Sequence, residues 1–257
     1  KMIENPMILF PLLILFLPLI SFIIVIFFGK KLPRQGDWVA VGSIVTTFFL
    51  ACYLFLQMLL NYDPGFTHGA SFSWINLGEF KIDLGILVDN LTIVMLLIVT
   101  LVSSCTHIFS LAYMKGDIRY NRYFAYLGLF TFSMNGIVLA DNLISMYMSW
   151  ELVGVSSYLL IGHWFEKDSP ANASKKAFLA NRVGDIGFFI GIMLLYSAVV
   201  AFAFSPIFES IAGGQAIAGT ALTLAGLGIF MGAVGKSSQF PLHIWLPDAM
   251  EGPTPVS

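Results

Sequence analysis

Long windows without a charged residue constrain this chain more than any other feature of its sequence. Four windows of 18 to 25 uncharged residues lie between Glu4 and Lys30, Asp37 and Asp63, Asp89 and Lys115, and Arg122 and Asp141. A helix needs roughly 20 apolar residues to cross a hydrocarbon layer about 30 Å thick. Each window therefore predicts one transmembrane helix.

Three further apolar stretches are long enough to cross a membrane but carry charge inside them. Glu151 interrupts residues 142–165, Arg182 and Asp185 interrupt 177–208, and Lys236 interrupts 210–247. Only 11% of the residues are charged, whereas an average soluble domain is about 25% charged. We therefore expect an all-α polytopic membrane protein with about seven transmembrane helices, surrounded by the lipid bilayer. Its formal net charge of -2 gives no basic surface for nucleic acid.

The distribution of basic residues predicts the orientation of these helices. Nine of the 13 Lys and Arg residues fall in the loops after predicted helices one, three and five. They are Lys30, Lys31, Arg34, Lys115, Arg119, Arg122, Lys167, Lys175 and Lys176. Because basic loops stay on the cytoplasmic side, these loops are predicted inside and the N-terminus outside.

The segment between predicted helices two and three has the alternation of β-strands. Apolar and polar residues alternate over 72–77 and again over 80–84, with Gly78 and Glu79 between them as a turn. This pattern predicts a β-hairpin on the outer face. The expected organisation is residues 1–88 with two helices and the hairpin, 89–122 with helix three and an interfacial linker, and 123–257 with a bundle of helices four to seven.

Charged residues at the centre of a bilayer cost about 2.5–3.5 kcal/mol each on insertion scales. Glu151 lies ten residues after Asp141, which is about 15 Å along a helix and close to the middle of the hydrocarbon layer. Arg182 and Asp185 are three residues apart and can pair on one face of helix six. Because an intramembrane ionisable residue is a functional candidate by default, these residues and Lys236 form the candidate site.

Lys236 lies beside a predicted break in helix seven. Pro241 and Pro247 follow it, and proline removes a backbone donor and interrupts a helix. Broken helices at membrane depth occur where protein or a water-filled cavity satisfies the freed carbonyls, which is where transporters bind ions. Recurring glycines in helices six and seven predict close packing: Gly184, Gly187, Gly191, Gly228, Gly232 and Gly235.

The charges alone allow two interpretations. Arg182 and Asp185 could be only a neutralised intrahelical pair, and Glu151 and Lys236 only a structural ion pair. Alternatively, a Glu–Lys pair near the midplane handles protons, because removing one partner changes how strongly the other holds its proton. A quinone- or haem-binding redox subunit is disfavoured by the lack of a transmembrane His pair, a phosphate-binding glycine loop and a cysteine cluster. No metal or cofactor is therefore expected in this chain.

Several motifs make residues 91–257 recognisable. This stretch resembles the largest antiporter-like membrane subunit of respiratory complex I, the bacterial L-type subunit and mitochondrial subunit five. The resemblance rests on FAYL at 124–127, DNL at 141–143, WELVG at 150–154, SYLLIG at 157–162, RVGD at 182–185, GKSSQ at 235–239 and PLHIWLPDAMEGPTPVS at 241–257.

The resemblance implies a fold and a role for each charged residue. The family folds as two inverted five-helix bundles, each with a broken helix, so this chain is expected to hold the first half and to end before helix eight. Glu151 corresponds to the family's essential helix-five glutamate, and Lys236 to the helix-seven lysine that pairs with it. Arg182 and Asp185 match a helix-six pair that modulates the site or supplies protons.

The implied function is a proton-translocating membrane-arm subunit of NADH:quinone oxidoreductase, whose Glu–Lys relay is coupled to redox chemistry in other subunits. Flavin, iron–sulfur clusters and quinone are then expected in partner subunits, in an energy-transducing membrane, with a bacterial inner membrane favoured over a mitochondrial one. The large subunit of a multisubunit cation/proton antiporter, or of a related hydrogenase or carbon-uptake complex, shares the same motifs. A purely structural membrane module is the remaining alternative.

Overall fold

The computed structural model of the protein describes residues 5–78, 80–214 and 219–256. Within these residues the chain forms α1 (Pro6–Phe28), α2 (Asp37–Leu60), β1 (Thr67–Leu77), β2 (Phe80–Asp89), α3 (Asn90–Tyr113), α4 (Tyr120–Leu139), α5 (Leu143–Ile161), α6 (Asp168–Val199), α7 (Phe204–Ala212), α8 (Gly219–Lys236) and α9 (Leu246–Ala249). A 3-10 turn at Leu242–Trp245 separates α8 from α9. The described residues do not include Glu4, Glu79, residues 215–218 of the predicted stretch 210–247, or the last residue of the motif at 241–257.

Six helices of the described part are long and apolar enough to cross a membrane. They lie at Pro6–Lys31, Pro33–Leu60, Asn90–Tyr113, Leu143–Ile161, Asp168–Val199 and Gly219–Lys236. The remaining predicted span, α4, is a helix of 20 residues that is not among these six, and it carries the buried polar residues Thr131, Ser133 and Asn135. The count of seven spans therefore stays a prediction.

The contacts divide the chain into two compact units. The first contains residues 5–70, 86–139 and 253–256, and its helices α1 to α4 pack on one another. Asn135 on α4 donates a hydrogen bond to the Ile14 carbonyl on α1 over 3.0 Å. Near the other end of α4, the Tyr120 hydroxyl donates to Asp37 at the start of α2 over 2.9 Å. Polar contacts thus fix α4 against its neighbours at two levels.

The second unit, residues 71–85 and 140–252, is built on close packing between α6 and α8. A Cβ added at Gly191 would lie 2.6 Å from the Ile229 nitrogen and 2.7 Å from the Ala225 carbonyl oxygen. One added at Gly184 would lie 2.7 Å from the Met231 carbonyl oxygen. The glycines therefore let the two backbones touch, as the sequence predicts.

Helix α6 begins and ends earlier than the charge pattern predicts. The sequence predicts a basic loop through Lys175 and Lys176, but both lie inside α6, which starts at Asp168. That prediction is wrong because the alanine-rich sequence around the lysines favours helix. With 32 residues, α6 is about 48 Å long, so its charged first turns can extend beyond a hydrocarbon layer of about 30 Å.

The stretch 177–208, predicted as one helix, is also divided. Val200 adopts a left-handed conformation with φ 55°, and the chain enters the short helix α7 at Phe204. A β-branched residue rarely adopts positive φ, so this break was not predictable from the residue at position 200.

The predicted β-hairpin is present and is longer than the alternation alone indicates. Its strands have 11 and 10 residues, and Gly78 at the turn has φ +73°, which favours glycine. The Asn142 side-chain amide donates to the Asp83 carbonyl over 2.9 Å. Because Asn142 is also the N-cap of α5, the hairpin packs on a helix end, as expected for an element that is marginal alone.

Candidate functional site

The four charged residues singled out in the sequence converge within the second unit. Glu151 lies in the middle of α5, Arg182 and Asp185 in the middle of α6, and Lys236 at the last residue of α8. A Cβ added at Gly184 would lie only 3.1 Å from the Gly235 Cα. This close approach brings the end of α8, and Lys236 with it, beside Asp185.

The charges form two interhelical ion pairs. The Arg182 guanidinium contacts the Glu151 carboxylate, joining α6 to α5. Lys236 Nζ lies 3.8 Å from Asp185 Oδ2, joining α8 to α6. The cluster is therefore formally neutral, which lowers the cost of placing it inside a membrane.

The pairing differs from both sequence-based expectations. Direct contact of Glu151 with Lys236 was implied by the resemblance, and pairing of Arg182 with Asp185 by their spacing; the structure exchanges the partners. The long guanidinium of Arg182 reaches across to α5, whereas the Lys236 ammonium is drawn electrostatically to Asp185 and, more weakly, to Glu151. The two carboxylates thus share the influence of one ammonium, although only Asp185 lies within ion-pair distance.

Lys236 occupies a sparsely partnered position. Its side chain is 14% exposed and that of Asp185 only 3%. Among the described residues, none forms a hydrogen bond with Lys236 Nζ, and this atom is buried. A buried ammonium without hydrogen bonds is costly, so this cation is held by charge attraction and packing alone.

The predicted break beside Lys236 is confirmed. Helix α8 ends at Lys236, Ser238 takes a left-handed conformation with φ 51°, and a 3-10 turn follows. The Trp245 indole nitrogen donates to the Gly235 carbonyl over 3.1 Å. The same carbonyl also accepts from the Ser238 backbone nitrogen over 3.3 Å, so the protein itself satisfies the backbone at the helix end, as membrane depth requires.

Three aromatic residues complete the site. The Trp150 indole nitrogen donates to Asp185 Oδ1 over 2.8 Å, the Tyr147 hydroxyl lies close to the Glu151 carboxylate, and the Arg182 guanidinium lies 5.0 Å from the centre of the Phe178 ring. Helical spacing signals Tyr147 and Phe178, because each is four residues from the charge that it contacts. Trp150 precedes Glu151 directly, and adjacent helix positions do not face each other, so spacing could not reveal its role.

An ion pair also joins α6 to α9. Lys176 on α6 lies 2.6 Å from Asp248 on α9, and both side chains are nearly half exposed. Such exposed pairs contribute about 0–1 kcal/mol, so this contact positions α9 more than it stabilises the unit. No group of three His, Cys, Asp or Glu side chains within the described residues is arranged to hold a metal ion.

Two family models match the chain. The model described as NADH:quinone oxidoreductase/Mrp antiporter, TM, matches residues 140–257, which contain all four charged residues of the site. The model described as NADH-Ubiquinone oxidoreductase (complex I), chain 5 N-terminus, matches residues 74–124. The chain belongs to this family of antiporter-like membrane subunits.

Curated relatives match this antiporter-like chain over most of its length. NAD(P)H-quinone oxidoreductase subunit 5, chloroplastic, of Cryptomeria japonica is 43% identical over 231 residues, 89% of this chain and 31% of the relative. F(420)H(2) dehydrogenase subunit L of Methanosarcina mazei is 43% identical over 266 residues, 96% of this chain and 39% of the relative. NADH-ubiquinone oxidoreductase chain 5 of Dictyostelium citrinum is 40% identical over 254 residues, 95% of this chain and 37% of the relative. The chain spans about a third of the length of these relatives.

Solved structures share the fold of this antiporter-like chain. A chain of the Mrp complex from Dietzia sp. superposes with a TM-score of 0.81 and 24% identity, over 96% of this chain and 26% of that one. A chain of the membrane-bound sulfane sulfur reductase, an archaeal respiratory membrane complex, gives a TM-score of 0.80 and 19% identity, over 96% and 48%. At these identities the likeness establishes the fold alone.

Proposed function

We propose that this chain is a proton-translocating membrane-arm subunit of an NADH:quinone oxidoreductase, in which Glu151, Asp185 and Lys236 carry the protons and the permanently charged Arg182 modulates them. The observation that supports this most is the arrangement of two ion pairs that link three helices able to cross a membrane. Relatives whose names place them in quinone oxidoreductases, at 40 to 43% identity, support the type of complex.

The exchanged pairing gives the proton relay a physical basis. The Lys236 ammonium is attracted by the Asp185 and Glu151 carboxylates and repelled by the Arg182 guanidinium. Adding a proton to either carboxylate removes one of the negative charges that hold the ammonium in place. The free energy of holding a proton at one pair therefore depends on the state of the other, which is the coupling that a relay needs.

The same proposal includes the finer features of the fold and the surroundings. Helix α4 crosses the membrane as a seventh span, the bundle of residues 123–257 belongs to the first of two inverted repeats, and the N-terminus faces outward. The partners are other membrane-arm subunits, which hold the flavin, iron–sulfur clusters and quinone, in a bacterial energy-transducing membrane. This chain itself binds no cofactor.

The second candidate function is that of a large subunit in a multisubunit cation/proton antiporter. The fold match to a chain of the Mrp complex supports it, and the matching family model bears both names. Both functions use the same buried charges, so they differ in the source of energy.

Purification of the native complex and its reconstitution in vesicles test the proposal. NADH oxidation by quinone should change the pH inside the vesicles, in the direction set by how the complex is oriented in them. Lys236→Met should abolish most of this pH change. Lys175→Met is the matched control, because Lys175 is exposed on α6, and it should pump as the unaltered complex does. Proton movement driven by a sodium gradient without NADH would establish the antiporter instead, and unchanged pumping by Lys236→Met would refute both.

A further inference from the structure

One glycine of α5 shapes the space that the Lys236 ammonium occupies. A Cβ added at Gly154 would lie 2.6 Å from Lys236 Nζ, and no other heavy atom of the described residues outside its own helix backbone lies within 4 Å of it. Ordinary van der Waals contact begins at 3.4 Å, so a methyl group at this position would displace the ammonium by about 0.8 Å. Gly154 itself is buried.

This contact explains how an ammonium without hydrogen bonds keeps a defined position. Gly154 is three residues after Glu151, so both lie on one side of α5. The ammonium lies against α5 at Gly154, and Asp185 on α6 lies 3.8 Å from it. The position of Nζ is thus set jointly by a missing side chain on α5 and a carboxylate on α6.

Trp150 fixes the other member of this pair from the same helix. Its indole donates to Asp185 Oδ1 over 2.8 Å, while Asp185 Oδ2 is the oxygen that faces Lys236. Helix α5 therefore controls both ends of the Asp185–Lys236 pair, although it contributes neither charge.

We propose that Gly154 is a positioning residue for proton translocation: its lack of a side chain forms the seat that holds the Lys236 ammonium beside Asp185. This rests on the proposed function of Lys236 as a proton carrier. The atom that a methyl group would meet is the free end of a flexible side chain, so Gly154→Ala leaves the fold intact and shifts the ammonium instead. The shift should therefore slow proton transfer, because the rate of proton transfer is sensitive to displacements of this size.

The test compares Gly154→Ala with Gly226→Ala in the assembled complex. A Cβ at Gly226 on α8 meets nothing within 4 Å, so this control adds the same methyl group without touching Nζ. Gly154→Ala should assemble normally, lose about tenfold in proton pumping and displace the pH profile of pumping, since the ammonium has moved relative to both carboxylates. Gly226→Ala should keep the original rate and profile.

Two further measurements separate failure of the seat from failure of the proposed function. An electron cryo-microscopy map of Gly154→Ala should show Nζ moved away from α5; an unmoved Nζ, or an unchanged pumping rate and pH profile, would overturn the seat. If Nζ is displaced in that map but Lys236→Met pumps normally, the role of Gly154 in positioning Nζ stands and the proposed proton-carrying function of Lys236 is refuted. If Gly154→Ala does not assemble, assembly of Gly154→Ala/Lys236→Met supports the seat, because methionine lacks Nζ, and failure of both overturns it.

Discussion

At the scale of single residues, the site depends on which charges touch. Glu151 contacts Arg182, and Lys236 lies beside Asp185, so each carboxylate has its own cation on a different helix. The sequence identified all four residues, because charge in a membrane is conspicuous. It could not identify the pairs, because these depend on the rotation of each helix and on how far each side chain reaches.

The Arg182–Glu151 pair predicts a rescue. Arg182→Met leaves a carboxylate in a mostly apolar unit and should lower the stability of the complex, by less than the roughly 3–5 kcal/mol of a fully buried pair, because the Arg182 side chain is 37% exposed. Glu151→Gln/Arg182→Met should recover much of this loss, since it removes both charges. Thermal unfolding of the purified complexes measures it, and a double variant no more stable than Arg182→Met would show that the pair is unimportant.

Trp150 predicts an effect on Asp185. Trp150→Phe removes the indole donor while keeping an aromatic ring against Phe188, whose ring centre lies 5.4 Å from that of Trp150. Because hydrogen bonds to charged groups contribute about 1.5–3 kcal/mol, Asp185 should hold its proton differently and the pH profile of pumping should shift. Trp74→Phe, on the exposed face of the hairpin, is the matched control, and identical profiles for the two variants would contradict this role.

At the scale of elements, glycine contacts set the position of α8 and therefore of Lys236. The glycine pattern predicted close packing from sequence, and α6 and α8 pack on each other through those glycines. The breaks were less predictable. Proline indicated the break after Lys236. Val200, in contrast, ends α6 in a conformation that a β-branched residue does not favour. Lys175 and Lys176 were predicted to lie in a loop because basic residues are typical of the loops between membrane helices.

The contact between α6 and α8 predicts a strong effect of a small change. Gly191→Ala would place a methyl group 2.6 Å from the Ile229 backbone, and overpacking of this kind costs about 1–3 kcal/mol. The complex should assemble in lower yield and unfold at lower temperature. Gly226→Ala, with nothing within 4 Å, should behave as the unaltered chain, and equal stability of the two variants would refute the backbone contact.

The junction before α5 predicts a dependence on pH. Burial raises the pKa of Asp141 above its ordinary value, and the nearby Asp83 carboxylate adds to this, against a hydrogen bond from Asn142 that lowers it. The protonated form is thus favoured in the folded state, so the unfavourable effect of Asp141 is absent below the ordinary value of 3.8 and develops as the pH rises through the raised pKa.

Asp141→Asn should therefore gain melting temperature relative to the unaltered chain as the pH rises from about 4 towards neutrality. The exposed Asp168→Asn serves as the control and should show no such trend. A difference that stays constant with pH, measured by thermal unfolding of the complex in detergent, would show that Asp141 does not titrate in this range.

At the scale of the whole molecule, the fold places a neutral cluster of four charges among helices that cross a membrane, in a chain of the antiporter-like family. Uncharged windows predicted the helices because lipid imposes length and composition on every span. The proposed coupling of the two ion pairs arises only when α5, α6 and α8 meet, so no single segment of the sequence contains it.

The number of protons moved per electron pair tests the central claim most directly. It is measured in vesicles containing the whole complex, with Glu151→Gln compared with Glu209→Gln, which alters an exposed glutamate on α7. We predict that Glu151→Gln lowers this ratio while electron transfer to quinone continues, and that Glu209→Gln leaves the ratio unchanged. The same ratio in both variants and in the unaltered complex would contradict proton translocation through this cluster.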